Sequence, residues 1–232
     1  MKIGLFTDPH YSDKEASSNR LHSLSYDKIK KAMISFKKNS VDLVICLGDL
    51  TDDCVNVNDN PKALKEISKM INSFGIKFYS LMGNHDCLSF TKEEFNALTG
   101  GAYPPFKIET DKTVLIFLDC NYNDNGEKYK VGNVDWTNAY LPKTQFEALK
   151  KALNTEKEKY VFVHQNLDKG VEEHHIVHNA EEIRKIIEEA HVNMVIQGHY
   201  HLGHNNLINS VKYHTLPAMC EGEGNHFEIL II

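Results

Sequence analysis

The sequence predicts a layered α/β domain with its helices outside, and two features of the chain predict it. Short apolar runs rich in β-branched and aromatic residues alternate with longer stretches of helical spacing, and the chain finishes in a β-rich segment. Size agrees with one such unit. A length of 232 residues with 41% hydrophobic content can bury one substantial core, so residues 1–232 are expected to form a single domain.

Four apolar runs, at 2–7, 42–47, 76–81 and 114–119, are too short for helices and have the composition of strands buried on both faces. Between the first two, residues 26–38 place apolar side chains at 26, 29, 32, 33 and 36, the spacing of a helix with one buried face. Residues 60–74 repeat the pattern, with Pro61 suited to a first helical turn and Gly75 to a C-terminal stop. A polar stretch after Asp119, punctuated by Gly126 and Gly132, predicts a long surface loop. Helix is expected again at 142–153, strand at 160–163, helix at 180–190 and strand at 192–197. Short strands near 206–208, 211–215 and 226–232 lie close enough in sequence to pair antiparallel. The His-rich segment 172–178 reads as loop.

Composition excludes several function classes. With 26 Lys+Arg against 32 Asp+Glu, the formal charge of −6 disfavours a nucleic-acid partner bound through a broad basic surface. No apolar run approaches the roughly 20 residues that cross a bilayer, and the N-terminus turns polar too early for a signal-peptide core, so a cytoplasmic protein with no membrane partner is expected. Five widely spaced cysteines with no C-x-x-C pair outline neither a disulfide framework nor a thiolate zinc site.

The chemistry is concentrated after the strands. The predicted strands end in Asp8-Pro9-His10, Gly48-Asp49-Leu50-Thr51-Asp52, Gly83-Asn84-His85-Asp86, His164 and Gly198-His199-Tyr200-His201. The carboxyl ends of strands in an α/β sheet line one edge, so the five clusters are expected to converge. Taken singly each is ordinary: Asp-x-His and Gly-Asp make turns, and two histidines at spacing two can be a surface pair. Together they gather Asp and His side chains whose juxtaposition is costly without a cation. Asp8, His10, Asp49, Asn84, His164, His199 and His201 offer carboxylate, amide and imidazole donors and no thiolate. That set suits Mn, Fe, Zn or Co, and its size suits two ions sharing a carboxylate.

This ordered series, D-x-H, G-D, G-N-H-[DE], H and G-H-x-H, resembles the calcineurin-like metallophosphoesterase superfamily. The resemblance implies a four-layer α/β/β/α sandwich and a phosphohydrolase with two divalent transition metal ions, Mn or Fe before Zn or Co, in which a metal-activated hydroxide attacks phosphorus. It implies Asp8, His10 and His201 on one ion, Asn84, His164 and His199 on the other, and Asp49 between them. His85 matches the family histidine that contacts phosphate or protonates the leaving group; Asp52 is the expected orienting carboxylate and Asp86 its rival.

The short chain resembles the branch with bacterial cyclic-nucleotide phosphodiesterases and Mn-dependent ADP-ribose or CDP-alcohol pyrophosphatases. Residues 19–24, 179–182 and 198–226 are similar to the pyrophosphatases, whereas His10 stands where they usually carry Gln and favours the phosphodiesterase type. A small-molecule phosphodiester or nucleotide substrate is therefore expected, ahead of a pyrophosphate, a phosphomonoester, or an inactive relative serving as a protein-binding platform. Protein Ser/Thr phosphatases continue G-D-x-x-D into Arg-Gly, but this chain continues into Asp53-Cys54, without that phosphate clamp. Arg20 and His22 are candidate substrate contacts. Tyr11, Phe90, Tyr122, Trp136 and Tyr200 are candidates for base stacking, His174, His175 and His178 for tuning access, and Cys87 is a poor nucleophile candidate beside an activated water.

Overall fold

A computed structural model describes residues 1–16 and 19–232. Two sheets stack face to face with helices on both outer sides, the four-layer arrangement expected. The first sheet runs β10-β1-β2-β3, with β1 (Lys2–Phe6), β2 (Leu43–Cys46) and β3 (Lys77–Ser80) parallel and β10 (Glu228–Ile231) antiparallel to β1. The second runs β4-β5-β6-β7-β9-β8, in which β5 (Thr113–Phe117), β6 (Glu158–Phe162), β7 (Met194–Gln197) and β9 (Val211–Thr215) are parallel. β4 (Lys107–Glu109) and β8 (His204–Ile208) close the two edges antiparallel.

Side-chain alternation along the strands separates three apolar layers. Ile3, Leu5, Ile45 and Leu47 meet Leu115, Phe117, Phe162 and Ile196 between the sheets. Phe6, Val44 and Phe78 point the other way, onto α1 (Ser25–Lys38) and α2 (Asn60–Asn72) through Ile29, Met33, Phe36, Leu64, Ile67 and Ile71. Across the molecule, Val114, Ile116, Val161 and Val195 pack on α5 (Lys143–Leu153) and α6 (Ala180–Glu189) through Leu149, Leu153, Ile183 and Ile187.

Three expectations are corrected. The tail does not form one antiparallel unit: β8 and β9 pair as expected, but β10 crosses to the first sheet, where Ile3 registers with Leu230. Two helices, α3 (Asn84–Ser89) and α4 (Lys92–Thr99), and strand β4 occupy a region the sequence reading left without structure. The convergence of clusters also has a different origin. Asp8, Asp49 and Asn84 follow strands of the first sheet, His164 and His199 follow strands of the second, and they meet because both sheets end at the same rim. None of the described helices is long and apolar enough to cross a membrane.

Candidate metal centre and active site

Three of the strands, β1, β2 and β7, hand over to their clusters through unusual backbone. Asp8, His10, Asp49 and His199 take left-handed conformations, at φ 49°, 48°, 50° and 65°, which non-glycine residues adopt at a cost. Two glycines make room for the carboxylates. A Cβ at Gly83 would overlap Asp49 Oδ1, and one at Gly198 would lie 2.8 Å from Asp8 Oδ2. These glycines are needed for close approach, beyond their ordinary use in turns.

The expected ligand side chains come together. His10 Nε2 lies 3.8 Å from Asp8 Oδ1, 3.7 Å from Asp49 Oδ2 and 3.3 Å from His201 Nε2. His164 Nε2 lies 3.4 Å from the same Asp49 Oδ2 and 3.3 Å from Asn84 Oδ1. Asp8, His10 and Asp49 form one compact donor group, and Asp49, His164 and His199 form another. Asp49 is common to both. Supporting bonds fix the rings: His164 Nδ1 faces the Leu47 carbonyl at 3.0 Å, and His201 Nδ1 faces Glu221 Oε1 at 2.7 Å. Such contacts orient an imidazole toward an ion.

The donor set fits a pair of cations on three counts. Asp8 Oδ1 and His199 Nε2 are buried with no hydrogen-bond partner, an arrangement that costs free energy unless something else satisfies them. The seven expected donors are all oxygen or nitrogen, although the Cys220 thiol, which the sequence reading did not include, lies in one group with His10 and His201. Charge balance agrees, since the carboxyls and some of the imidazoles shift one another's ionisation, as groups gathered around a cation site do. Burial opposes ionisation of Asp8 and Asp49, yet His164 and the neighbouring imidazoles hold both carboxyls below the ordinary range. Burial likewise disfavours the His164 and His201 cations, but Asp49 and Asp8 raise His164 to about 9, and Asp8 with Cys220 raises His201 to about 11. Burial lowers His10 to about 4 against the pull of Asp52 and Asp49, and burial with the His164 charge pushes His199 well down.

His85 stands at the start of α3, partly exposed, with its Nδ1 3.4 Å from Asp52 Oδ1. Its own backbone N–H donates to Asp49 Oδ1 at 2.8 Å. Burial disfavours its cation, but Asp49 and Asp52 outweigh that and raise its pKa. Asp86, the rival carboxylate, turns away. It accepts from the Leu50, Thr51 and Gly83 amides at 3.1, 3.0 and 3.1 Å and ties the β2 loop to α3.

The remaining candidates separate. Arg20 reaches the site, with Nη1 3.9 Å from Asp52 Oδ2. His22 is 2% exposed and its Nδ1 faces the His10 carbonyl at 2.9 Å, so it supports the loop that carries His10. Phe90 is buried in the core, and Tyr11 packs against Tyr26 and donates to Glu66. Tyr122 lies in the loop after β5, bridged to Lys128. Trp136 and His175 line a cavity of about 370 Å³ with Arg20, Asp49, Asn84, His85, His199 and His201. His174 packs on that Trp136–His175 pair, Tyr200 packs on His175, and His178 lines a separate groove. Burial pushes the Cys87 thiol well up, which suits no nucleophile.

Sequence reasoning missed two groups. Lys14 Nζ lies 3.2 Å from Asp52 Oδ1, so the site has cations from the β1 loop in place of the absent arginine after Asp52. Glu221 sits under His201 because Arg20 and Glu221 bridge antiparallel and because buried Lys28 donates to the Met219 and Gly222 carbonyls at 2.8 and 2.6 Å. No local pattern marks Lys14 or Glu221. Only their long-range partners do.

Comparison with known proteins places this geometry. The family model for calcineurin-like phosphoesterases matches residues 1–203. A UDP-2,3-diacylglucosamine hydrolase of Wigglesworthia glossinidia brevipalpis is 27% identical over 217 residues, covering 87% of this chain and 84% of that protein. The crystal structure of a dimetal phosphatase from Danio rerio superposes with a TM-score of 0.81 at 16% identity, over 98% of this chain and 91% of the other. The protein TT1561 of Thermus thermophilus gives 0.65 at 11% identity, over 99% and 97%. At those identities the structures speak for the fold, and the family match speaks for the chemistry. The chain belongs to the calcineurin-like phosphoesterase family of metal-dependent phosphoester hydrolases.

Proposed function

We propose that the protein hydrolyses phosphodiester or nucleotide pyrophosphate bonds, with Asp8, His10 and His201 holding one divalent ion, Asn84, His164 and His199 a second, and Asp49 shared. The observation that carries this reading is the single Asp49 carboxylate common to two buried donor groups. Mn or Fe are the first choices for a set of oxygen and imidazole donors, with Zn or Co next. When bound, such a pair supplies Lewis acidity toward phosphoryl oxygens and acidifies a water.

The protein's own groups do the rest. His85, whose pKa Asp49 and Asp52 raise, gives a proton to the departing oxygen, and Asp52 orients its ring. Arg20 and Lys14 stand beside Asp52 at the mouth and attract the substrate's negative charge. With an acidified water available to attack phosphorus, the reaction would need no nucleophilic Ser or Cys.

A pyrophosphate substrate has one observation of its own in favour. A groove of about 610 Å³ next to the cavity is lined by Lys14, Arg20 and His85 together with Asp52 and Glu221, room and two cationic side chains for a second phosphate. The Wigglesworthia relative is named for a UDP-sugar, a compound with such a bridge.

The test compares kcat/KM for bis-nitrophenyl phosphate, a cyclic nucleotide, ADP-ribose and nitrophenyl phosphate under one metal condition. A diester or the pyrophosphate is expected to lead. A monoester ahead by more than about tenfold, roughly 1.4 kcal/mol of transition-state binding, overturns the reading.

A further inference from the structure

Trp136 is the chain's single tryptophan, and among the described Phe, Tyr and Trp side chains it is the one left exposed, at 38%. Its loop has neither helix nor strand around it, yet its neighbours are fixed. Asp135 Oδ1 accepts from Thr137 N and Oγ1 at 3.2 and 2.7 Å, and Asn138 N donates to the Asp135 carbonyl at 3.0 Å. Asn138 in turn accepts from Asp124 N at 2.9 Å and, through its carbonyl, from Tyr129 Oη at 3.1 Å. A large ring held out in water by so many bonds forgoes the stabilisation that burial would give it.

What the ring borders is specific. The indole centroid lies 5.4 Å from the rings of both His174 and His175 and 5.6 Å from that of His199. Among the described residues Trp136 is the one apolar side chain lining the cavity; the rest are Arg20, Asp49, Asn84 and histidines. Beside it, His175 Nδ1 is buried without a hydrogen-bond partner. The cavity therefore joins anion-binding groups to one flat apolar face with an unpaired polar atom next to it. An acyl chain would find a single apolar residue there. A planar heterocycle finds an aromatic ring to stack on, beside an imidazole that still lacks a hydrogen-bond partner.

We infer that Trp136 and His175 form a subsite for the nucleobase of a nucleotide substrate. The inference rests on the phosphoester reading above for the neighbouring donors, and it narrows the substrate class to phosphoesters or pyrophosphates with a base one sugar away. Stacking of a base on an aromatic side chain is worth enough to set substrate preference by about tenfold.

Because the chain has one tryptophan, its fluorescence reports on this wall alone. Metal-reconstituted protein titrated with AMP should show saturable quenching, whereas ribose 5-phosphate at equal concentration should not. In kinetics, Trp136→Leu should lower the preference for ADP-ribose over glycerophosphocholine, a diester without a ring, by about tenfold, carried by KM, and Trp136→Tyr should restore most of it. Equal quenching by the two phosphates, no quenching by either, or equal losses on both substrates would overturn the subsite. Failure of the unsubstituted protein to hydrolyse any phosphoester would instead overturn the function reading, while AMP quenching still decides the subsite.

Discussion

At position 85 burial and two carboxylates act on one imidazole in opposite directions, and the carboxylates win, so the His85 pKa is raised, the direction that favours the proton donor proposed above. His85 belongs to neither compact donor group around Asp49. His85→Ala should therefore leave metal content nearly intact, by elemental analysis, while lowering turnover by roughly 10²–10⁴. The loss should shrink for substrates with nitrophenolate as leaving group, which departs without a proton. Equal losses for good and poor leaving groups would reassign His85 to stabilising the phosphoryl oxygens. The residues around it were legible in the sequence to different degrees. That the seven side chains would meet could be read because each follows a strand. The choice between Asp52 and Asp86 could not, since both sit within reach in sequence and only the direction of α3 turns one toward His85 and the other toward the β2 loop.

At the scale of elements, β9 and β10 belong to different sheets, and a side-chain contact ties them: His214 Nε2 lies 2.8 Å from Glu228 Oε2. The His214 hydrogen bond, opposed by burial and helped by the His214 and Lys212 charges, lowers the Glu228 pKa. A carboxyl depressed in the folded state contributes its stability above the ordinary glutamate range and loses it as pH falls through the folded value. Glu228 is half exposed, so solvent keeps the contribution to about 1 kcal/mol or less. Urea midpoints should thus show Glu228→Gln weaker than the parent at about pH 7, and the two converging at about pH 3. A gap that persists in acid would mean that packing, and not charge, joins the sheets there. The sequence could not announce this crossing, because β-pairing partners distant along the chain leave no local periodicity. The helices that were not anticipated differ. α4 carries a capping box, Thr91 with Glu94, that does signal its start, whereas the six residues of α3 are too few for a stripe to emerge.

For the whole molecule, the rim where two sheets end gathers buried carboxylates whose balance depends on what sits among them. Ions that bind the folded chain and not the unfolded one stabilise it, by about 2.7 kcal/mol at a hundredfold excess over Kd for each site. Thermal melting should accordingly fall on treatment with a chelator at neutral pH, and the drop should narrow toward about pH 5, where ligand imidazoles take up protons in competition with metal. Identical melting with and without chelator would separate the donor cluster from the fold's stability.

Four of the side chains on that rim hang from left-handed backbone, where an L-residue gives up roughly 1–2 kcal/mol relative to glycine. Conformational preference at positions 8, 10, 49 and 199 thus points to glycine or asparagine, and chemistry points to aspartate and histidine. An engineer who raises the melting temperature of this scaffold by choosing the residue that each backbone angle favours meets a conflict here, where the same rule would produce a sturdier chain stripped of the side chains proposed to hold an ion.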